Sequence, residues 1–123
     1  MAAIGSRDTK PELAVRELVR TLGYRFRTHS VKLPGKPDLV FTSRRKVVFV
    51  HGCFWHRHKG CKRASMPATR TAFWEAKFSS NIMRDRRVRR ELKKMGWAAL
   101  IVWQCELKNP VKVTERLHEF LED

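Results

Sequence analysis

A chain of 123 residues with 27 Lys+Arg against 12 Asp+Glu carries a formal charge of +15 and a pI of about 10.8, so phosphate-rich polymers are its natural partners and nucleic acid is the first guess. Anionic lipid is the alternative, but no apolar run is long enough to span a bilayer and no signal-peptide core follows Met1, so the chain reads as cytoplasmic. Three cysteines without an export signal suit thiolate ligation better than a disulfide framework. With no internal repeat or low-complexity linker, residues 1–123 read as one domain whose modest core a zinc staple would help.

Thr9-Lys10-Pro11-Glu12 is a capping box with Pro in the first turn, and Leu13, Leu18, Val19 and Leu22 continue at helical spacing until Gly23. That pattern predicts a helix over residues 10–22. Tyr24 and Phe26 alternate with Arg25 and Arg27 as in a strand. Pro34-Gly35-Lys36-Pro37 turns the chain before a second strand, Asp38-Leu39-Val40-Phe41, and Ser43-Arg44-Arg45 turns it again. Val47-Val48-Phe49-Val50 is continuously apolar, as a central strand is, and delivers His51 at its end. A long helix over residues 71–95 places Phe78, Ile82, Val88, Leu92 and Met95 on one side and stops at Gly96. Residues 98–103 form another apolar strand, parallel to Val47-Val48-Phe49-Val50 because the connection is a helical crossover. Asn109-Pro110 starts a last helix with Val113, Leu117, Phe120 and Leu121 inside. The order is α-β-β-β-α-β-α.

Residues 51–61, HGCFWHRHKGC, concentrate soft metal ligands and aromatic rings. Cys53, His58 and Cys61 with Cys105 would make a closed Cys3His sphere of the structural zinc type. Cys105, following an apolar strand, has the alternative of being a small buried hydrophobe. His51 and His56 are left over, and leftover histidines beside such a site are candidates for chemistry.

Lys36-Pro37-Asp38-Leu39-Val40, Val48-Phe49-Val50-His51-Gly52-Cys53-Phe54-Trp55-His56, Pro67-Ala68-Thr69-Arg70-Thr71 with Phe73-Trp74, and Ile101-Val102-Trp103-Gln104-Cys105 resemble the very-short-patch repair (Vsr) endonucleases over nearly the whole chain. The resemblance implies the restriction-endonuclease-like αβββαβ core. It also implies a magnesium-dependent DNA nickase that cuts 5′ to the T of a T·G mismatch left by deamination of 5-methylcytosine. Expected partners are double-stranded DNA carrying that mismatch and mismatch-repair proteins. The enzyme would act as a monomer, nucleoid-associated when on DNA.

By the same resemblance Asp38 is the metal-binding catalytic carboxylate and the Val50 carbonyl a second magnesium ligand. Hard magnesium takes oxygen ligands and keeps waters, and His51 and Glu12 would orient those waters. His56 would be the general base. The chain has one more residue before Cys61 than some relatives, which leaves His56 as the alternative to His58 as zinc ligand. Phe54, Trp55 and Trp74 would form the wedge that unstacks the duplex beside the mismatch. Trp74 also falls on the helical stripe of Phe78 and Ile82, where it would be core, and Glu12 is already explained as half of a capping box.

The run from Arg84 to Lys94 is strongly basic, with Asp85 and Arg89 spaced as an i,i+4 ion pair. Part of that helix, together with Lys62, Arg63 and Arg70, is expected to contact phosphate. Relatives commonly carry an N-terminal arm embracing DNA, and Met1 to Gly5 is read as its remnant. Two rival classes are a noncatalytic zinc-stabilised DNA-binding module, which leaves Pro37-Asp38 and His51 idle, and another nuclease of this fold, which needs no wedge.

Overall fold

In the computed structural model, which describes residues 8–123, Thr9 starts the first helix as its sequence dictates. The Glu12 backbone N–H donates to Thr9 Oγ1 at 3.4 Å and Glu12 Oε2 accepts from the Thr9 N–H at 2.8 Å, so the orphan donors of α1 (Lys10–Thr21) are satisfied. The buried stripe of α1 is Glu12, Val15, Arg16 and Val19. Leu13 is turned out and 48% exposed, while Leu18 and Leu22 only lean on the core. Two charged side chains therefore occupy inward positions of this helix. Met1 to Gly5 lies outside the described residues.

The strand expected at Tyr24 to Arg27 is not formed. Inner and outer positions alternate there, but pairing is limited to one antiparallel bridge, Arg27 with Val40. The Tyr24 N–H is still committed to the Val19 carbonyl of α1, and His29, at φ +58°, diverts the chain two residues after the bridge. Too little extended chain remains for a second rung.

β1 (Leu39–Phe41) and β2 (Lys46–His51) pair antiparallel, and β2 pairs parallel with β3 (Ala98–Trp103), giving the order β1-β2-β3. The register puts Val47 opposite Ala99 and His51 opposite Trp103. α2 (Thr71–Lys94) makes the crossover and ends at Gly96, whose φ of +83° suits glycine. It covers one face of the sheet, where Val88 and Leu92 meet Val40, Val47 and Phe49. Ile82 is only half-buried and Met95 is 43% exposed, so the inner stripe runs Phe78, Asn81, Val88, Leu92. α1 and α3 (Pro110–Glu122) cover the other face, with Val15, Val19, Leu117 and Leu121 packed on Leu39, Val48 and Val102. The result is a mixed sheet between helical layers. Among the described residues no helix is long and apolar enough to cross a membrane.

One loop contact places the site. Gly35 lies so close to α2 that a Cβ there would meet Val88 Cγ1 at 2.5 Å, and its φ is +77°. This approach seats the turn whose buried Pro37 leads into Asp38.

Candidate active site and metal centre

Asp38 stands one residue before β1, its backbone N–H donating to the Val48 carbonyl at 3.1 Å. Its Oδ2 accepts from the Val50 N–H at 2.6 Å. The carboxyl also hydrogen-bonds Glu12, which arrives from the buried stripe of α1. Burial, then the bond to Glu12, push Asp38 up to about 7 against the lowering effects of the Val50 N–H and the Arg16 charge. A carboxyl raised by burial and by a neighbouring carboxyl returns to its charged form when a cation neutralises it. The oxygens of Asp38 and Glu12 are the hard donors that magnesium prefers, so the residues fit a divalent cation. Glu12 thus caps α1 and also lies against Asp38.

His51 continues the β2 positions Val47 and Phe49 that face α2, and so meets groups from that side. Its ring stacks on His56 with centroids 3.7 Å apart. His56 Nδ1 lies 2.7 Å from Asp85 Oδ2 on α2. Desolvation opposes the ionisation of Asp85, but the hydrogen bond and charge of His56, with help from His51 and Arg84, hold its carboxyl below the usual range. Burial, then the neighbouring His56 charge, drive His51 down to about 3, so it is neutral near pH 7. Its buried Nδ1 has no hydrogen-bond partner among the described residues, as expected of a group that faces water or ligand in use.

Asp85 is the site residue that sequence reasoning missed. Its spacing to Arg89 offered a local partner on the same helix, whereas the structure pairs it with His56, 29 residues away in the chain. The signal was an acid placed inside a basic run. One atom each of His51, His56 and Asp85 also lie within 4.8 Å of one another, as metal ligands would. The Asp85 hydrogen bond already engages His56 Nδ1, an arrangement that orients an imidazole.

The soft cluster is separate. Cys53, His58, Cys61 and Cys105 offer ligand atoms all within 4.8 Å of one another, with Cys105 Sγ 3.4 Å from His58 Nδ1. His58, not His56, joins the thiols. Hydrogen bonds from the Arg63 backbone and His58 bring Cys61 down to about 7. Burial and the neighbouring thiols push Cys105 up to about 11. Thiols in such competition for charge, with an imidazole as fourth donor, fit a soft or borderline divalent metal.

The loop between the clusters carries the rings. Phe54 packs on Trp74 and Phe78 with centroids 5.8 and 5.2 Å away, and Trp55, 39% exposed, leans on Trp74 at 5.8 Å. Trp74 is half-buried, stacked on Phe78 with centroids 5.6 Å apart and packed against Trp55. The loop is fixed from two sides. Arg57 donates to the Phe54, Ala64 and Ser65 carbonyls and lies 3.8 Å over the Phe78 ring, and Asn81 Nδ2 donates to the Trp55 carbonyl at 3.1 Å. Lys62 and Arg63 are exposed on a short 3₁₀ helix after Cys61. Arg70 sits at the start of α2 with its guanidinium 4.5 Å from the Phe73 centroid.

The fold is shared with a catalytic domain of the homing endonuclease I-Bth0305I, which superposes with a TM-score of 0.66 at 21% identity, covering 92% of this chain and 94% of that one. The class is thus a restriction-endonuclease-like fold. The sequence model of the DNA mismatch endonuclease Vsr family matches residues 1–63. A type II nicking enzyme, V.XorIIP of Xanthomonas oryzae pv. oryzae, is 47% identical over 99% of this chain and 89% of its own length. The DNA mismatch endonuclease Vsr of Escherichia coli K12 is 46% identical over 100% of this chain and 79% of its own. The chain belongs to the Vsr family of DNA mismatch endonucleases.

Proposed function

We propose that this chain is a magnesium-dependent nickase that recognises a T·G mismatch in double-stranded DNA and cuts the strand 5′ to the T, initiating very-short-patch repair of deaminated 5-methylcytosine. The observation that carries the reading is the pairing of Asp38 and Glu12 carboxyls on one side of Val50 and His51, with the His56–Asp85 pair on the other. Asp38, with the Val50 carbonyl, would hold magnesium; Glu12 and His51 would orient water. Bound magnesium supplies polarisation of the phosphate, a more acidic attacking water and neutralisation of the developing charge.

The protein's own groups do the rest. Asp85, kept ionised on Nδ1 of His56, selects the tautomer whose Nε2 lone pair takes a proton from water. His51, neutral, stacks against that ring and limits its rotation without placing a positive charge beside it. Phe54, Trp55 and Trp74 would insert beside the mismatch, where unstacking costs least, and Lys62, Arg63 and Arg70 would hold phosphates around them. Zinc at Cys53, His58, Cys61 and Cys105 would fix both ends of the loop that carries the wedge. Residues 1–123 would work as one domain and as a monomer in the cytoplasm, nucleoid-associated when on DNA; mismatch-repair proteins as partners rest on the family resemblance.

A labelled duplex with one T·G mismatch, beside its T·A and C·G controls, tests this in magnesium and in chelator. The expected result is a magnesium-dependent nick in the T-containing strand of the mismatched duplex alone. Cleavage of both strands, or equal nicking of matched controls, would replace this reading by another nuclease of the same fold. No cleavage at all would leave a DNA-binding module.

A further inference from the structure

Along α1 and the segment after it lies a second cationic feature that none of the roles above uses. Arg16 and Arg20, one helical turn apart on α1, and Tyr24, Arg25, Phe26 and Thr28 from the segment that follows line an open cleft of about 500 Å³. The lining has three guanidiniums, and the acids that touch it are Asp8, on Arg16, and Glu122, which accepts from the Tyr24 hydroxyl. Arg16 is only 8% exposed, and its Nε is buried without a hydrogen-bond partner among the described residues. Its Nη1 is 2.8 Å from Asp8, which also meets His29 Nε2 at 3.2 Å, so one edge of the guanidinium is engaged and the Nε edge is not. Arg20 is held over the Phe26 ring at 5.3 Å, with a looser contact to Glu17 at 3.7 Å, and Arg25 is exposed. A buried guanidinium with an unused donor is costly unless a ligand completes it. Planar forks of this kind match phosphate oxygens.

The cleft also borders the carboxyl site, because Arg16 stands one helical turn from Glu12 on the buried stripe of α1. A DNA strand held with one phosphate at Asp38 presents further phosphates at regular spacing, about every 3.4 Å of helix axis. We propose that the cleft lined by Arg16, Arg20 and Arg25 is a phosphodiester site that clamps a second backbone phosphate of the strand whose scissile phosphate lies at Asp38. The inference rests on the nuclease reading. It adds to that reading a handle on strand position that is independent of base pairing.

The test uses Arg20→Ala with Arg25→Ala, two side chains exposed enough to be removed without disturbing the core. Dissociation constants for T·G and T·A duplexes are measured over a salt series without divalent metal. Each lost phosphate contact lowers the slope of log K against log salt by about 0.9. The expected change is a loss of about one from the slope, the same on both duplexes. A duplex series with single neutral methylphosphonates then locates the contact: wild type loses affinity at one or two adjacent positions, and the double variant loses nothing further there. An unchanged slope overturns the proposal. So does a variant whose loss is spread evenly over every methylphosphonate position, because that describes a diffuse field and not a site. Nicking of the T·G duplex by wild type reports separately on the nuclease reading, so either idea can fail alone.

Discussion

The thiol cluster and the carboxylate-imidazole cluster share a wall yet obey opposite electrostatics. The Trp103 ring stacks on His58 at 4.2 Å and meets His51 edge-on at 5.2 Å, so one residue at the end of β3 touches both. On the His58 side four donors converge on one point, a closed set that a single metal would satisfy. On the His51 side His51, His56 and Asp85 also come together, but they do not form a closed set of soft donors. The Asp38 carboxyl is pushed up, the His51 imidazole is pushed down, and the buried Nδ1 of His51 has no hydrogen-bond partner among the described residues. A structural site ends with its donors satisfied, whereas a catalytic one keeps groups waiting for substrate, water and cation. Breaking the two clusters one residue at a time should therefore give different phenotypes.

The largest effect is expected at Asp38. Asp38→Ala should abolish nicking of a T·G duplex while leaving mismatch binding intact, or slightly tighter for loss of like-charge repulsion with phosphate. Single-turnover nicking and equilibrium binding on the same duplex check the two halves. Wild-type nicking by the variant would remove Asp38 from the site. His56→Ala comes next and should slow the chemical step by roughly 10²- to 10⁴-fold, with the residual rate still dependent on magnesium, as for a lost general base.

The wedge should show a smaller and more selective effect. Phe54→Ala with Trp55→Ala should weaken binding to the mismatched duplex by roughly 10-fold more than to the matched one, since ring stacking discriminates and phosphate contacts do not. Paired titrations of both duplexes decide it. Equal losses would assign these rings to the packing around Phe78.

The pH dependence of stability sharpens the contrast further. Asp38 is raised from an ordinary 3.8 to about 7, so its contribution to stability is present below pH 3.8 and is lost as pH rises through 7. His51 is lowered from 6.5 to about 3, so its contribution is present above pH 6.5 and is lost as pH falls through 3. The two slopes oppose each other. Without added divalent metal, Asp38→Asn should gain on wild type in Tm by a few degrees as pH rises from 3.8 towards 7. A constant Tm difference across that window would mean that Asp38 is not strained by burial and by Glu12.

Much of the frame was legible because its signals are local. The Thr9 and Glu12 cap, the apolar run of β2 with its parallel neighbour β3, and the Cys53, His58, Cys61 and Cys105 set all follow from spacing and composition. What sequence could not show depends on partners far along the chain. Asp85 had a nearby Arg89 to satisfy it on paper, and only the loop bearing His56 supplies the stronger bond. Arg16 is buried with Asp8 as its ion-pair partner, which helix spacing alone does not reveal, and Leu13 looks like core until the helix turns Glu12 and Arg16 inward. The expected strand at Tyr24 failed for a geometric reason, since its backbone is shared between the end of α1 and a left-handed turn at His29.

The division of labour between His56 and His58 is the point on which the two clusters stand or fall, and zinc per chain measures it directly. Because structural zinc contributes to folding free energy, Cys105→Ser should lose the metal together with thermal stability. Elemental analysis of His56→Ala should instead return one zinc per chain, as in wild type, in a protein that folds normally and barely nicks. A His56→Ala protein without zinc, or a stable wild type without it, would contradict the assignment of His58 to the thiols and His56 to the chemistry.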